Sequence, residues 1–256
     1  MSKKDLRMII SGKELGFIDV NRGKVVVGKI EYDIPANTPL RPGDTIEIEK
    51  KKLTVVGFNP SYYDTLSQRS FQSIKTHDAA YMISVSGIHS GSTVLEAGIG
   101  NGSLTAHLIW VVAPSGRVVS VDIERKALDL SSTILRKVVE SEVWEPIIGD
   151  VRNYKFSDTF DAVFLDIPDP WNAIANVSKY MRGGGSLIVY SPNFNQIERA
   201  VDVMNENDFH VIENLEILKR KLIVRHGRTR PDSDMIGHTA FLSVAVKKSG
   251  FRVRVK

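Results

Sequence analysis

The sequence predicts an α/β protein: a mostly parallel sheet covered by helices on both faces, preceded by a small antiparallel β domain. Three observations carry this prediction. From Val94 onward, apolar strand-like runs alternate with helical patterns, the order that builds parallel sheets. The first of those runs ends in three alternate glycines, Gly98, Gly100 and Gly102, followed at once by a helical apolar pattern. Upstream of about residue 60 the chain instead carries short β segments divided by turn signals.

In chain order, the N-terminal segments are Leu6 to Ile10, Gly16 to Asp19, Lys24 to Val27, Thr45 to Glu49 and Leu53 to Phe58. Thr45-Ile46-Glu47-Ile48-Glu49 alternates with period two, and Arg41-Pro42-Gly43-Asp44 before it is a turn signal. Lys50-Lys51-Lys52 is either a phosphate contact or a solvated turn, the commoner role of a short charge run. These segments define a first domain over 1–65, either a substrate-docking module or a packing appendage. A connector then leads to a helix around His77 to Ile83. The second domain, 66–256, runs strand Val94 to Glu96, helix Ser103 to Val112, strand Arg117 to Asp122, helix Lys126 to Glu140 and strand Glu145 to Gly149. It continues with strand Ala162 to Asp166, helix Trp171 to Met181, strand Gly185 to Tyr190, helix Asn195 to Asn207, and strands Val211 to Leu218 and Thr239 to Lys247. The last two strands suggest an antiparallel pair closing an otherwise parallel sheet.

At 256 residues the chain can bury one large core with an appendage, or two modest ones. The net charge of +4 does not by itself announce a nucleic-acid binder, so local clusters of positive charge have to carry that reading. The absence of cysteine excludes disulfides, thiolate metal ligands and cysteine nucleophiles, and no metal is expected. The longest apolar runs, such as Leu108 to Ala113, fall far short of the roughly 18 residues a membrane span needs. No signal-peptide core opens the chain, so a cytoplasmic enzyme is the expectation.

In an open α/β sheet, ligands bind beyond the carboxyl ends of the strands, so the residues ending each strand are the informative ones. Here they are acidic: Glu96, Asp122, Asp150 after Gly149, and Asp166. The glycines run G-x-G-x-G without the third glycine of the dinucleotide fingerprint, which leans away from a nicotinamide cofactor and toward S-adenosylmethionine. Asp122 lies 20 residues after Gly102, the separation at which an acid meets the ribose hydroxyls of a nucleoside. Asp150 is placed to accept from the adenine amino group with Val151 against the ring, and Glu96 to hold the cationic amino group of the methionine moiety. Helix capping is the competing role for any one of these acids.

The second informative stretch is Val163-Phe164-Leu165-Asp166-Ile167-Pro168-Asp169-Pro170-Trp171, where a strand delivers an acid into a turn stiffened by two prolines. Trp171 by itself reads as core.

The motifs V-L-E-A-G-I-G-N-G-S-L-T, L-D-I-P-D-P-W, Q-I-E-R-A and R-P-D-S-D-M-I-G-H-T-A-F-L occur in order over roughly residues 70–247. Together they resemble the tRNA (adenine-N1)-methyltransferases that act on T-loop adenine 58, and in archaea also adenine 57. The resemblance implies a Rossmann-like class I methyltransferase with a mostly parallel seven-stranded sheet, a small N-terminal β domain and a homotetramer. It implies cofactor contacts at Glu96, Gly98, Gly100, Asn101, Gly102, Ser103, Leu104, Asp122, Ile123, Arg125, Asp150, Val151 and Asp166, with Asp166 also the catalytic acid. The chain departs from the family pattern in carrying Lys75-Thr76-His77-Asp78 where Tyr-Pro-Lys-Asp is common, with Tyr81 or Phe71 as stand-ins for the aromatic residue. It also carries Leu222 in place of a frequent tryptophan.

The expected partner is tRNA. Lys219 to Arg230 holds Lys219, Arg220, Lys221, Arg225, Arg228 and Arg230 without an acid, and Lys247 to Lys256 holds Lys247, Lys248, Arg252, Arg254 and Lys256. Such clusters neutralise phosphates, the first with more to recommend it than the second, which reads as a fraying tail. His238 reads as a structural hydrogen-bonding residue. Competing readings are a protein isoaspartate or small-molecule O-methyltransferase, a non-catalytic RNA-binding subunit that keeps the fold, and a nicotinamide dehydrogenase.

Overall fold

Alternating side chains set the first sheet, because a strand with one face buried must place every second residue inward. The computed structural model describes residues 6–11, 14–66, 73–139, 141–251 and 253. Its first strands are β1 (Leu6–Ser11), β2 (Glu14–Asp19), β3 (Lys24–Val27), β4 (Ile30–Asp33), β5 (Thr45–Ile48) and β6 (Lys51–Val56). They form an antiparallel sheet in the order β4-β3-β2-β1-β6-β5. Ile9, Ile18, Val25, Val27, Leu53 and Val55 give it a core of its own.

Two sequence expectations change here. Strand β4 was not anticipated: Gly28, with φ of +62°, turns the chain back, and Ile30 is 52% exposed, so no burial pattern marks it. The lysine run is not all turn, since Lys51 and Lys52 belong to β6 and Lys51 Nζ lies 3.0 Å from Glu14.

After a single 3-10 turn at Pro60–Tyr62 come α1 (Tyr63–Leu66), α2 (Thr76–Ser86), β7 (Thr93–Ala97), α3 (Ser103–Val112), β8 (Arg117–Asp122), α4 (Arg125–Val138) and β9 (Trp144–Ile148). They are followed by β10 (Phe160–Leu165), α5 (Trp171–Val177), β11 (Met181–Ser191), α6 (Phe194–Glu206) and β12 (Phe209–Glu216). The short strands β13 (Leu222–Ile223) and β14 (Arg230–Pro231) pair with each other, and β15 (Phe241–Lys247) ends the series. The seven-stranded sheet runs β12-β15-β11-β10-β7-β8-β9. Neighbours are parallel except where β15 inserts antiparallel between β11 and β12. Buried side chains on the two faces form separate cores: Val94, Leu108 and Phe164 lie in one, Leu95, Val163 and Ile174 in the other.

The helix expected from Trp171 to Met181 stops earlier. Its last turn tightens to 3-10 geometry, and Met181 already pairs with Phe160 in the sheet. The glycines that follow let the strand approach its neighbours: a Cβ on Gly185 would lie 2.8 Å from the Asp161 carbonyl oxygen. No helix among the described residues is long and apolar enough to cross a membrane.

Candidate active site

The strand order reverses beside β7: β8 and β9 lie to one side, β10 and β11 to the other. A crevice opens at such a switch point because the connections leave in opposite directions. The main chain continues the ladder past the strand ends and fixes its shape. Asp166 N donates to Ala97 O at 2.9 Å, Gly98 N to Val121 O at 3.0 Å and Gly149 N to Asp122 O at 3.0 Å. Gly98 sits at φ +87°, and a Cβ there would fall 1.9 Å from the Asp166 carbonyl oxygen. The glycine therefore brings the first loop against Asp166, the residue that follows β10.

The crevice is a cavity of about 260 Å³ lined by Gly98, Gly100, Val121, Asp122, Ile123, Glu124, Ala127, Gly149, Asp150, Val151, Asp166, Ile167 and Pro168. The structure thus brings Gly98, Gly100, Asp122, Ile123, Asp150, Val151 and Asp166 together, as the sequence predicts. Gly149, Ile167 and Pro168, from the same stretches, line it too, and Val121, Glu124 and Ala127 join them unannounced; each of these three neighbours a singled-out residue or lies one helical turn on.

The rest of the predicted set does not line this cavity. Gly102 packs so closely that a Cβ would meet the Tyr63 hydroxyl at 2.7 Å. Asn101 Oδ1 accepts from Ser103 N at 3.1 Å, Ser103 Oγ donates to Ile74 O at 3.1 Å, and Leu104 is core. Arg125 opens α4 on the exposed side. Glu96 is 1% exposed; its Oε2 accepts from Thr105 at 2.8 Å and Ser120 at 2.6 Å, while Oε1 has no hydrogen-bond partner.

Electrostatics follow from this packing. Burial pushes the Glu96 carboxyl up to about 8, outweighing the two hydroxyl donors, with the Asp166 and Asp122 charges adding to the rise. Burial, then the Asp122 charge, pushes Asp166 up to about 7. Asp122 accepts backbone donors on both oxygens, from Ile99 N at 2.9 Å and Glu124 N at 2.8 Å, so it anchors the glycine loop as well as facing the cavity. Asp150 accepts from Arg152 N and from the Arg152 guanidinium, both at 3.0 Å, and the same guanidinium reaches Asp169 at 2.6 Å. Arg152 thereby ties the β9 loop to the proline turn.

The proline turn is braced from α6 by the Q-I-E-R-A stretch. Gln196 Nε2 donates to Pro168 O at 2.8 Å, and the Arg199 guanidinium lies 3.9 Å from the Trp171 ring centroid. Trp171 is therefore part-exposed under a cation rather than core. Asp78 is fully buried, held above the usual carboxylate range by burial, and its Oδ2 accepts from Tyr190 at 3.3 Å. Tyr81 donates to Glu213 and does not line the cavity, so it does not replace the family tyrosine there; Phe71 lies outside the described residues.

All six cations of the first basic cluster are exposed. Lys219 and Lys221 face Lys75 and His77 across a cavity of about 600 Å³ that Asp64, Asp232 and Asp234 also line. In the second cluster, Arg252, Arg254 and Lys256 lie outside the described residues.

The family model described as tRNA methyltransferase complex GCD14 subunit matches residues 55–238. The chain belongs to this family. Over 214 residues it is 29% identical to the tRNA (adenine(57)-N(1)/adenine(58)-N(1))-methyltransferase TrmI of Methanocaldococcus jannaschii, covering 73% of this chain and 76% of that protein. Among solved structures, a SAM-dependent O-methyltransferase from Thermotoga maritima matches with a TM-score of 0.84 at 24% identity over 99% of this chain and 96% of that one. The tRNA (m1A58) methyltransferase TrmI of Aquifex aeolicus matches with a TM-score of 0.79 at 22% identity, over 96% and 98% respectively. These two likenesses establish the methyltransferase fold. Membership of the GCD14 family makes S-adenosylmethionine the cofactor to test against the cavity. Four acids line it and, among the described residues, no lysine or arginine does. That donor set suits a cationic nucleoside with a free ribose diol and repels the phosphates of a dinucleotide.

Proposed function

We propose that this chain methylates N1 of a tRNA T-loop adenine, at position 58 with 57 as a further target, giving 1-methyladenosine. The observation that carries the proposal is the acid-lined cavity closing on Asp166, in a chain of a tRNA methyltransferase family. S-adenosylmethionine, when bound, supplies an electrophilic methyl group. Asp122 takes the ribose hydroxyls, Asp150 the adenine amino group, and Ile123 and Val151 its ring. Glu96, with Asn101, Gly102, Ser103 and Leu104, supports the loop from beneath, and Arg125 flanks it.

Adenine N1 carries no proton, so the reaction needs an orienting group more than a strong base. The Asp166 carboxylate accepts from the N6 amino group of the target, holds the ring, and stabilises the positive charge the product gains. The target adenine leaves its stack to reach this point. The exposed cations between Lys219 and Arg230 take the RNA phosphates. Family resemblance extends the proposal to a cytoplasmic homotetramer, which light scattering tests.

Radiolabelled methyl transfer to unmodified tRNA, followed by nucleoside analysis, is the test of the reaction. Label in 1-methyladenosine is expected; no product while the cofactor binds calorimetrically would leave the non-catalytic subunit as the better reading.

A further inference from the structure

The G-H-T-A-F-L stretch carries a feature that the acid-lined cavity does not use. Phe194 and Phe241 stack with centroids 4.3 Å apart and planes 24° apart, and the His238 ring lies 4.7 Å from Phe241. These side chains come from the start of α6, the start of β15 and the segment before it. The sheet assembles them: Phe241 pairs with Ser191 on one side and Glu216 on the other.

His238 is held at both nitrogens. Nδ1 lies 2.6 Å from Glu216 Oε1 and Nε2 lies 2.8 Å from Pro192 O. Both partners are acceptors, so the two bonds fix the ring's orientation and favour its protonated form. The Glu216 and Pro192 bonds accordingly hold its pKa above the usual histidine value.

The row is connected along the chain to both parts of the proposed site. Gln196, two residues beyond Phe194, holds Pro168 O, and Pro168 lines the cavity two residues beyond Asp166. On the other side, the exposed basic segment leads back into His238. Phe194 is 69% exposed, and among the described residues Phe241 is its only aromatic neighbour. An open aromatic face with an oriented imidazole beside it, joined through the chain to an adenine-accepting acid and to phosphate-binding cations, matches an unstacked base. Every nucleobase offers a π face, so such a surface accepts a base without reading its sequence.

We propose that Phe194, stacked on Phe241 and flanked by His238, is a platform for the nucleobase next to the extruded target adenine. The proposal rests on the RNA methyltransferase reading. Its test uses the full chain with unmodified tRNA, beginning with 1-methyladenosine formation by the wild type. Phe194→Ala is expected to raise KM for tRNA roughly tenfold, the loss of one base–aromatic stack. Cofactor affinity by calorimetry and the salt dependence of tRNA binding should stay unchanged, because no phosphate contact is removed. Phe194→Trp should restore KM, and its added emission should be quenched when tRNA binds.

A KM within twofold of wild type for Phe194→Ala, or unquenched Phe194→Trp emission, overturns the platform. So does a change of oligomeric state in Phe194→Ala with tRNA affinity intact, which would make Phe194 a contact between copies of the chain. Quenching of Phe194→Trp by tRNA in a protein that makes no 1-methyladenosine would instead retire the reaction and leave the platform standing.

Discussion

The acid-lined cavity is shaped by main-chain bonds between neighbouring strand ends, whereas the basic segment before His238 presents exposed side chains on a small two-stranded ribbon. In the first region the charges are crowded and half-buried, and their protonation is set by the protein. In the second they face water and act through their sum. Precise chemistry needs fixed donors in low dielectric, while holding a long polyanion needs many weak contacts at the rim. A substitution in the cavity should therefore act on chemistry or stability, and one on the ribbon on affinity and its salt dependence.

The largest expected effect sharpens that division. Asp166→Ala should lower turnover of tRNA by about 100- to 1,000-fold, in line with loss of a preorganised electrostatic partner. Calorimetry should still detect the cofactor, and turnover within a few-fold of wild type would remove Asp166 from the mechanism. Next, replacing Lys219, Arg225 and Arg228 together by Ala should weaken tRNA binding by about tenfold or more. The slope of log affinity against log salt should flatten by about 2 to 3. Unchanged slope would place the RNA elsewhere.

The pH dependence separates the regions again. In the proposed mechanism the Asp166 carboxylate is the accepting form, and burial with the Asp122 charge pushes its pKa up to about 7. In the free enzyme kcat/KM should rise with pH to about 7 and level above it. Stability should move the other way. Glu96 and Asp166 have native pKa values of about 8 and about 7, against ordinary values of 4.5 and 3.8. Between about pH 4 and pH 8 these two groups therefore bind more protons in the native state than in the unfolded chain, and their contribution to stability falls as pH rises. The smallest effect isolates one contributor: Glu96→Gln should have a melting temperature that declines less from pH 5 to pH 9 than wild type, by differential scanning calorimetry.

Much of the cavity is legible in the sequence because strands end where their periodicity ends. Asp122, Asp150 and Asp166 each follow an apolar run, and Gly98 and Gly100 follow another, so the topology rule alone brings them together. The same rule picks out Glu96, but β7 runs on to Ala97 and Glu96 lies beneath the surface, bonded by Thr105 from α3 and Ser120 from β8. Nothing local distinguishes it from Asp122. Trp171 likewise reads as core until Arg199 arrives from α6.

The sequence by itself determined the alternation of strands and helices, the glycine loop, the acids at the strand ends and the basic segment. These are local signals, set by residue periodicity, turn chemistry and charge order. Only the tertiary structure decided which acids face the cavity and which stay buried, that Gly98 is required by the Asp166 carbonyl, and that Phe194, Phe241 and His238 form one surface. Protonation and stacking depend on neighbours brought from distant segments by strand pairing, and no spacing along the chain records them.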